Sequence, residues 1–347
     1  MTSIIEMPEL VMEKIIEFAD FKAVLTLRHV CRDFRNFIDD LNDSKLPDSK
    51  FAKIGIFTEK DDSKIIMDFL HPDYRFDRLE YSEMENSRNF NGKITILENA
   101  NIVDVAIRDL QLILKFQKSN FGRSYFYFAD FRLQNDSTFY HLPTKLSNML
   151  NVFGRKLKTI ELSIRMFNKS NMMTVLPFAD PDTLKILNLS SSRGDMEIGI
   201  NEIAKTEQWK KAETLKCSFR LLNMNVEYIS HFLSIDLKVD SIRARDLDFL
   251  KKTFISSSKF ERAFFDSVFF NENEEISNLW GPAFDSQLAI IWYFGIKDSE
   301  DKVLRIEIFY YNMIPRLYYS TCFSIIVAPR GHDRVMYLSQ RFTRSYV

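Results

Sequence analysis

Side chains able to make or break bonds are few and scattered along this chain of 347 residues. Five histidines, His29, His71, His141, His231 and His332, lie too far apart to form a local set, and neither an HExxH nor a CxxC spacing offers a metal site. The three cysteines, Cys31, Cys217 and Cys322, are odd in number and distant, so they form no disulfide framework. Cys217 falls on an inward position of the pattern described below and reads as an inert core thiol; Cys31 reads as a packing residue. Nine scattered glycines leave no loop to cradle a phosphate. Asp180-Pro181-Asp182 and Asn271–Glu275 supply carboxylates on turns without a matching base. No catalytic residue, metal or cofactor is expected, which leaves binding as the chemistry of this chain.

Apolar side chains at helical spacing carry that chemistry. Residues 7–41 read as three short helices separated by punctuated breaks. Behind Pro8, the residues Leu10, Val11, Ile15 and Phe18 recur at intervals of three and four. Val24, Leu25 and Leu27 mark a second helix, and Phe34, Phe37, Ile38 and Leu41 a third. A segment of about 35 residues cannot bury this much apolar surface alone; chains below about 40 residues usually need a disulfide, a metal or a partner. With one cysteine and no ligand set, a partner is the remaining option.

Composition agrees. A formal net charge of −1 with 27% charged residues argues against a general polyanion binder, so no nucleic acid is expected as a partner. The N-terminus lacks the basic and apolar regions of a secretory signal, and the longest uncharged apolar stretch, Leu288–Ile296, is far short of a membrane span. With no disulfide framework, the expected setting is the reducing cytoplasm or nucleus. The 32 phenylalanines imply a large core with apolar surface left over for contacts.

Behind a polar linker at Asn42–Ser49, the part Lys50–Asn99 reads as strands and a helix. Ile102–Phe116 and Leu142–Phe153 read as helices, and Tyr125–Phe131 as an aromatic strand. An apolar-x-x-apolar-x-apolar pattern then recurs as Leu157/Ile160/Leu162, Leu184/Leu187/Leu189, Ala212/Leu215/Cys217, Val239/Ile242/Ala244 and Phe260/Ala263/Phe265, at spacings of 27, 28, 27 and 21. Helical patterns lie between, at Asn201–Trp209, Val226–Leu233 and Leu247–Phe254, with a short one at Met172–Pro177. The fold class expected is α+β: a three-helix module, then an irregular leucine-rich-repeat-like α/β domain, then an antiparallel portion. Ordinary α/β alternation with a chance period is the alternative. The repeat stops at Asn271–Pro282, and Ala289–Ile296, Val303–Tyr311 and Tyr318–Ala328 read as antiparallel strands that cover its open end. Met336–Val347 reads as a tail, with Arg330, Arg334, Arg341 and Arg344 making this end basic. Side chains between the inward positions face out. They form a row of Glu161, Asn188, Lys216, Arg243 and Phe264, flanked by Arg245 and Arg262, which would suit an acidic or phosphorylated segment.

The N-terminal module resembles an F-box. Met7-Pro8, Ile15-Ile16, Val24-Leu25 and the run Leu27-Arg28-His29-Val30-Cys31-Arg32-Asp33-Phe34-Arg35 follow that family's order without a gap; Leu10, Ala19 and Phe21 depart from it. Farther on, Ile113–Ser119, Leu176–Lys185 and Leu279-Trp280-Gly281-Pro282 with Trp292-Tyr293 are similar to the nematode F-box A proteins, in which an FTH domain follows the F-box. The resemblance implies an F-box at 5–45, an FTH-like domain at 50–285 and an antiparallel portion at 286–347. It also implies an adaptor without catalysis, joined through a Skp1-type linker protein to a cullin–RING ubiquitin ligase and carrying a protein substrate. Linker contacts would come from Met7, Pro8, Leu10, Ile15, Val24, Leu25, Leu27, Val30, Cys31 and Phe34. A scaffold tethered through its F-box and sending nothing for degradation is the alternative.

Overall fold

Three helices open the chain where Pro8, Asp20 and Cys31 interrupt the apolar periodicity: α1 (Glu9–Phe18), α2 (Phe21–Val30) and α3 (Arg32–Asp40). The computed structural model describes residues 7–59, 64–98, 100–128, 138–166, 169–191, 196–270, 272–286, 289–297, 299, 301–313 and 316–327. Asp20 caps α2 by accepting from the Ala23 N–H at 2.7 Å, and the Cys31 Sγ accepts from the Phe34 N–H at 3.5 Å at the start of α3. Arg28 clasps Asp39 with two bonds of 2.7 and 2.8 Å, holding α2 against α3.

The chain divides into two units, Met1–Thr183 and Leu184–Val347. In the first, the helices are followed by an antiparallel meander: β1 (Lys53–Glu59), β2 (Lys64–Leu70), β3 (Phe76–Ser82), β4 (Ser87–Phe90) and β5 (Lys93–Ile96). A helix expected between Lys50 and Asn99 is absent among the described residues. Its apolar runs are too short for helices and are cut by turn residues. At Asn91-Gly92, for instance, φ values of 50° and 90° make the two-residue turn that matches strand twist. The expected helices at Ile102–Phe116 (α4) and Leu142–Phe153 (α5) form with those bounds. Between them lies β6 (Phe121–Tyr127), and β7 (Thr159–Met166) and α6 (Lys169–Val175) follow. The expected strand Tyr125–Phe131 is thus β6, begun earlier; its residues 129–131 lie outside the described set. Sheet order is β5-β4-β3-β2-β1-β6-β7, with β1, β6 and β7 parallel. On its open face the Phe57 ring lies so close over Gly55 that a Cβ there would meet Cε2 at 2.7 Å.

The second unit contains β8 (Ile186–Ser191), β9 (Glu197–Ile198), α7 (Glu207–Lys211), β10 (Thr214–Leu221), β11 (Ser234–Ser241), α8 (Ala244–Ser256), β12 (Arg262–Phe269) and α9 (Asn273–Trp280). β13 (Phe284–Asp285), β14 (Ala289–Gly295), β15 (Lys302–Met313) and β16 (Arg316–Val327) complete it. Strands β8, β10, β11 and β12 are parallel, and the antiparallel set β16-β15-β14-β13 joins at β12, covering that edge as expected. Leu184/Leu187/Leu189, Ala212/Leu215/Cys217 and Phe260/Ala263/Phe265 point inward and are buried. The fourth repeat was misplaced by seven residues: Phe232/Ile235/Leu237 are the inward set, whereas Val239 lies late in β11 and Ala244 begins α8. The spacing broke because Val226–Leu233 is not a helix. Only Val226–Tyr228 makes a turn of 3-10 helix, since Val, Tyr, Ile, His and Phe are weak helix formers. Likewise Asn201–Trp209 holds one 3-10 turn and the start of the short α7. Within Asn271–Pro282, where the repeat stops, stands α9, so Glu274 and Glu275, expected on a turn, lie in its first turn.

The second core is aromatic. Phe254 stacks on Phe260 at 3.8 Å and meets Phe323 edge-on at 5.4 Å. Trp280 meets Trp292 and Phe294 edge-on at 5.2 and 5.6 Å, under the ammonium of Lys251. Asp248 receives Lys251, Lys252 and the Trp280 indole at 2.7, 2.7 and 2.8 Å. Burial alone would raise its pKa, but these donors bring it down to about 2.

Phe254→Ala should therefore cost about 3–5 kcal/mol in chemical denaturation. Ile160→Ala should cost under about 1 kcal/mol, because Ile160, expected inward, is 43% exposed.

Candidate docking surface

Sequence spacing alone cannot say which side of an amphipathic helix meets its own fold. On α1 the inward residues are Met12 and Ile16, whereas Leu10, Val11 and Phe18 stand outside, Leu10 at 68% and Phe18 at 85% exposure. Such side chains are costly to leave in water, each worth about 1.5–3 kcal/mol when fully buried. The ten expected contact residues sort by burial. Met7, Pro8, Leu10, Val30 and Cys31 are exposed, and Ile15, Leu25 and Leu27 are half-buried. Val24 and Phe34 are enclosed at 0% and 3% exposure; they hold the helices together and present nothing to a partner. Val11 and Phe18 were omitted from the expected contacts, yet they continue the stripe through Ile15 at positions i, i+4 and i+7.

The three helices are seated on the first unit by an aromatic corner and two carboxylates. Phe21 meets Phe51 at 5.4 Å and Phe116 at 5.0 Å, both edge-on. Asp77, buried on β3, accepts from Lys22 of α2 at 3.1 Å and Asn91 at 3.0 Å, and lies 2.7 Å from His71. Asp48 in the linker accepts the Lys50 and Lys118 N–H groups at 3.0 Å each, together with the backbone N–H and hydroxyl of Ser119. For both carboxylates burial raises the pKa, but the hydrogen bonds outweigh it and the net shift is downward.

The seven expected substrate residues do not form one row. Glu161 lies on β7 in the first unit, 2.9 Å from Arg123. In the second unit, Asn188, Lys216, Asp236 and Phe264 are neighbours in register across β8, β10, β11 and β12, with Arg262 two residues from Phe264 on the same face. Arg243 is not on a strand; it precedes α8, its backbone N–H donating to Asp246 at 3.3 Å. Arg245 sits in the first turn of α8, 3.5 Å from Glu275. Both misplacements follow from the shifted fourth repeat. The residue that belongs in the row is Asp236, so charge on this face alternates and does not gather as the sequence suggested.

Among the described residues, no group of three or more His, Cys, Asp or Glu side chains is placed to hold a metal. The Cys217 thiol is enclosed, and burial pushes its pKa up to about 12. A cavity of about 450 Å³ in the first unit is ringed by Lys118, Arg155, Lys156 and Lys158. Three of these cations donate to carbonyls: Lys118 to Ser44, Arg155 to Leu114 and Lys156 to Pro177, each at 2.7 Å. His332 and the arginines at 330, 334, 341 and 344 lie outside the described residues.

Comparison with known proteins adds two findings. A family model described as the F-box domain matches residues 4–46, and one described as the FTH domain matches residues 141–282. No curated protein matches the chain. Among solved structures, it is similar to an S-adenosylmethionine-dependent methyltransferase from Clostridium acetobutylicum. That similarity is 15% identity over 57% of this chain and 68% of the other, at a TM-score of 0.11, and carries no argument.

Acid should loosen the seat of the helices. Asp77 and Asp48 have folded pKa values below the ordinary 3.8, so their contribution is present above that value and is lost as pH falls through the folded ones. Asp77→Asn should lower stability by about 1–3 kcal/mol at pH 7. Urea midpoints of variant and parent should converge as the pH drops below about 4.

Proposed function

The chain is an F-box protein with an FTH domain behind the F-box, and from this premise we propose that it is the substrate-recognition adaptor of an SCF-type ubiquitin ligase. F-box proteins belong in general to that adaptor class, are typically non-catalytic, and typically bind Skp1. In the proposed arrangement α1 and the α2–α3 junction dock on a Skp1-type linker protein, and through it on a cullin–RING ligase, while the domain behind binds a protein substrate. One observation carries the reading: the apolar side chains of Leu10, Val11, Phe18 and Val30 are solvent-exposed within the matched F-box. Interfaces draw their affinity from a few such apolar anchors once they are fully desolvated.

The substrate would rest on the open sheet face of the second unit, around Asn188, Lys216, Asp236, Arg262 and Phe264. Phe264, 37% exposed amid alternating charge, is its anchor. A partner segment of mixed charge with one apolar side chain would fit this face better than a purely acidic one.

Leu10→Asp combined with Val30→Asp should abolish co-purification with a Skp1-type protein. Both side chains are exposed, so the fold should survive, which a melting curve checks. Intact co-purification of the folded double variant removes the adaptor reading. Phe264→Ala with Lys216→Glu should lower substrate capture at least tenfold and leave linker binding unchanged. Loss of both, or of neither, would mean the substrate surface is elsewhere.

A further inference from the structure

Strand β5 ends the sheet of the first unit, and among the described residues nothing pairs with its outer edge. Bare edges invite pairing, and proteins commonly blunt them with charge, proline or a bulge. This one carries Lys93 alone, beside Ile94 at 60% and Ile96 at 63% exposure.

Its free hydrogen-bonding groups can be identified. The Leu97 N–H donates to the Asn86 carbonyl at 2.8 Å, and Phe90 pairs with Lys93 across the two-residue turn. Backbone direction alternates along a strand, so Lys93 and Thr95 turn their groups toward β4 while Ile94 and Ile96 turn theirs outward.

We propose that this edge pairs with the same edge of a second copy of the chain, antiparallel about a twofold axis at Thr95. Outward-facing residues can bond only with outward-facing ones, and this register sets Ile94 opposite Ile96 of the second copy, twice over. Each pair exchanges two backbone hydrogen bonds, and the four isoleucines meet on one face of the joined sheet. Like charges stay apart: Lys93 faces Leu97 of the second copy, and the two Lys93 residues lie about 13 Å from each other along the seam. The pairing is isologous, so it closes at two copies. A seam of some five residues buries well under the roughly 800 Å² per partner of a stable interface. Association is therefore reversible and dependent on concentration.

Sedimentation of the full chain, from low micromolar to a few hundred micromolar, should show a monomer passing to a dimer. Ile96→Pro removes an outward N–H and leaves the ladder to β4 intact, so it should weaken the dimer at least tenfold with little change in melting temperature. In a Cys31→Ser, Cys322→Ser background, Thr95→Cys should form a disulfide-linked dimer on mild oxidation. Facing non-bonded residues of paired strands lie about 4.5 Å apart at Cα. Lys93→Cys should not cross-link. Monomer at every concentration, an unweakened Ile96→Pro dimer, or equal cross-linking at 93 and 95 would each overturn the proposal. If Ile96→Pro unfolds, the two cysteine variants decide.

Discussion

Phe21 is the point on which the first unit turns. It is the first residue of α2, and its ring fills the corner between Phe51, just before β1, and Phe116, the last residue of α4. Three parts of the chain far apart in sequence meet at one side chain. The next residue, Lys22, reaches the buried Asp77 of β3. A buried carboxylate is tolerable only when donors surround it, so the meander and the helices fix each other. Position 21 is also one where this chain departs from the F-box pattern. The departure is where the module acquires its seat on this fold.

That seat explains how the apolar residues of the N-terminal module divide. Val24, Phe34, Met12 and Ile16 turn inward, while Leu10 and Phe18 cannot reach the seat and remain in water. A surface of this kind is stable enough to exist alone because Arg28–Asp39 and the caps at Asp20 and Cys31 hold the helices without it. Its energetic return comes only when something covers it.

Much of this was legible in the sequence where local physics decides. The bounds of α4 and α5 follow from unbroken apolar periodicity between a capping Asn101 and a stopping Gly154, and the last three long strands from their Ile, Val, Phe and Tyr content. What failed was long-range. A repeat period assumes every connection has the same length, and the single 3-10 turn at Val226–Tyr228 shortened one of them, carrying Arg243 off the sheet. That Phe21 is buried depends on Phe51 and Phe116, which no local window around α2 contains.

The linker after the helices has a mechanical consequence. Eight linker residues hanging free would let a tethered module wander through a volume whose radius grows with the square root of length. Asp48 removes that freedom by gripping the N–H groups at Lys118 and Ser119, where α4 gives way to β6. A pull on the helices is passed to the sheet without play, as by a lever with a fixed fulcrum. Whatever reaches that fulcrum shares its orientation, and reach is then set by geometry and not by the statistics of a loose chain.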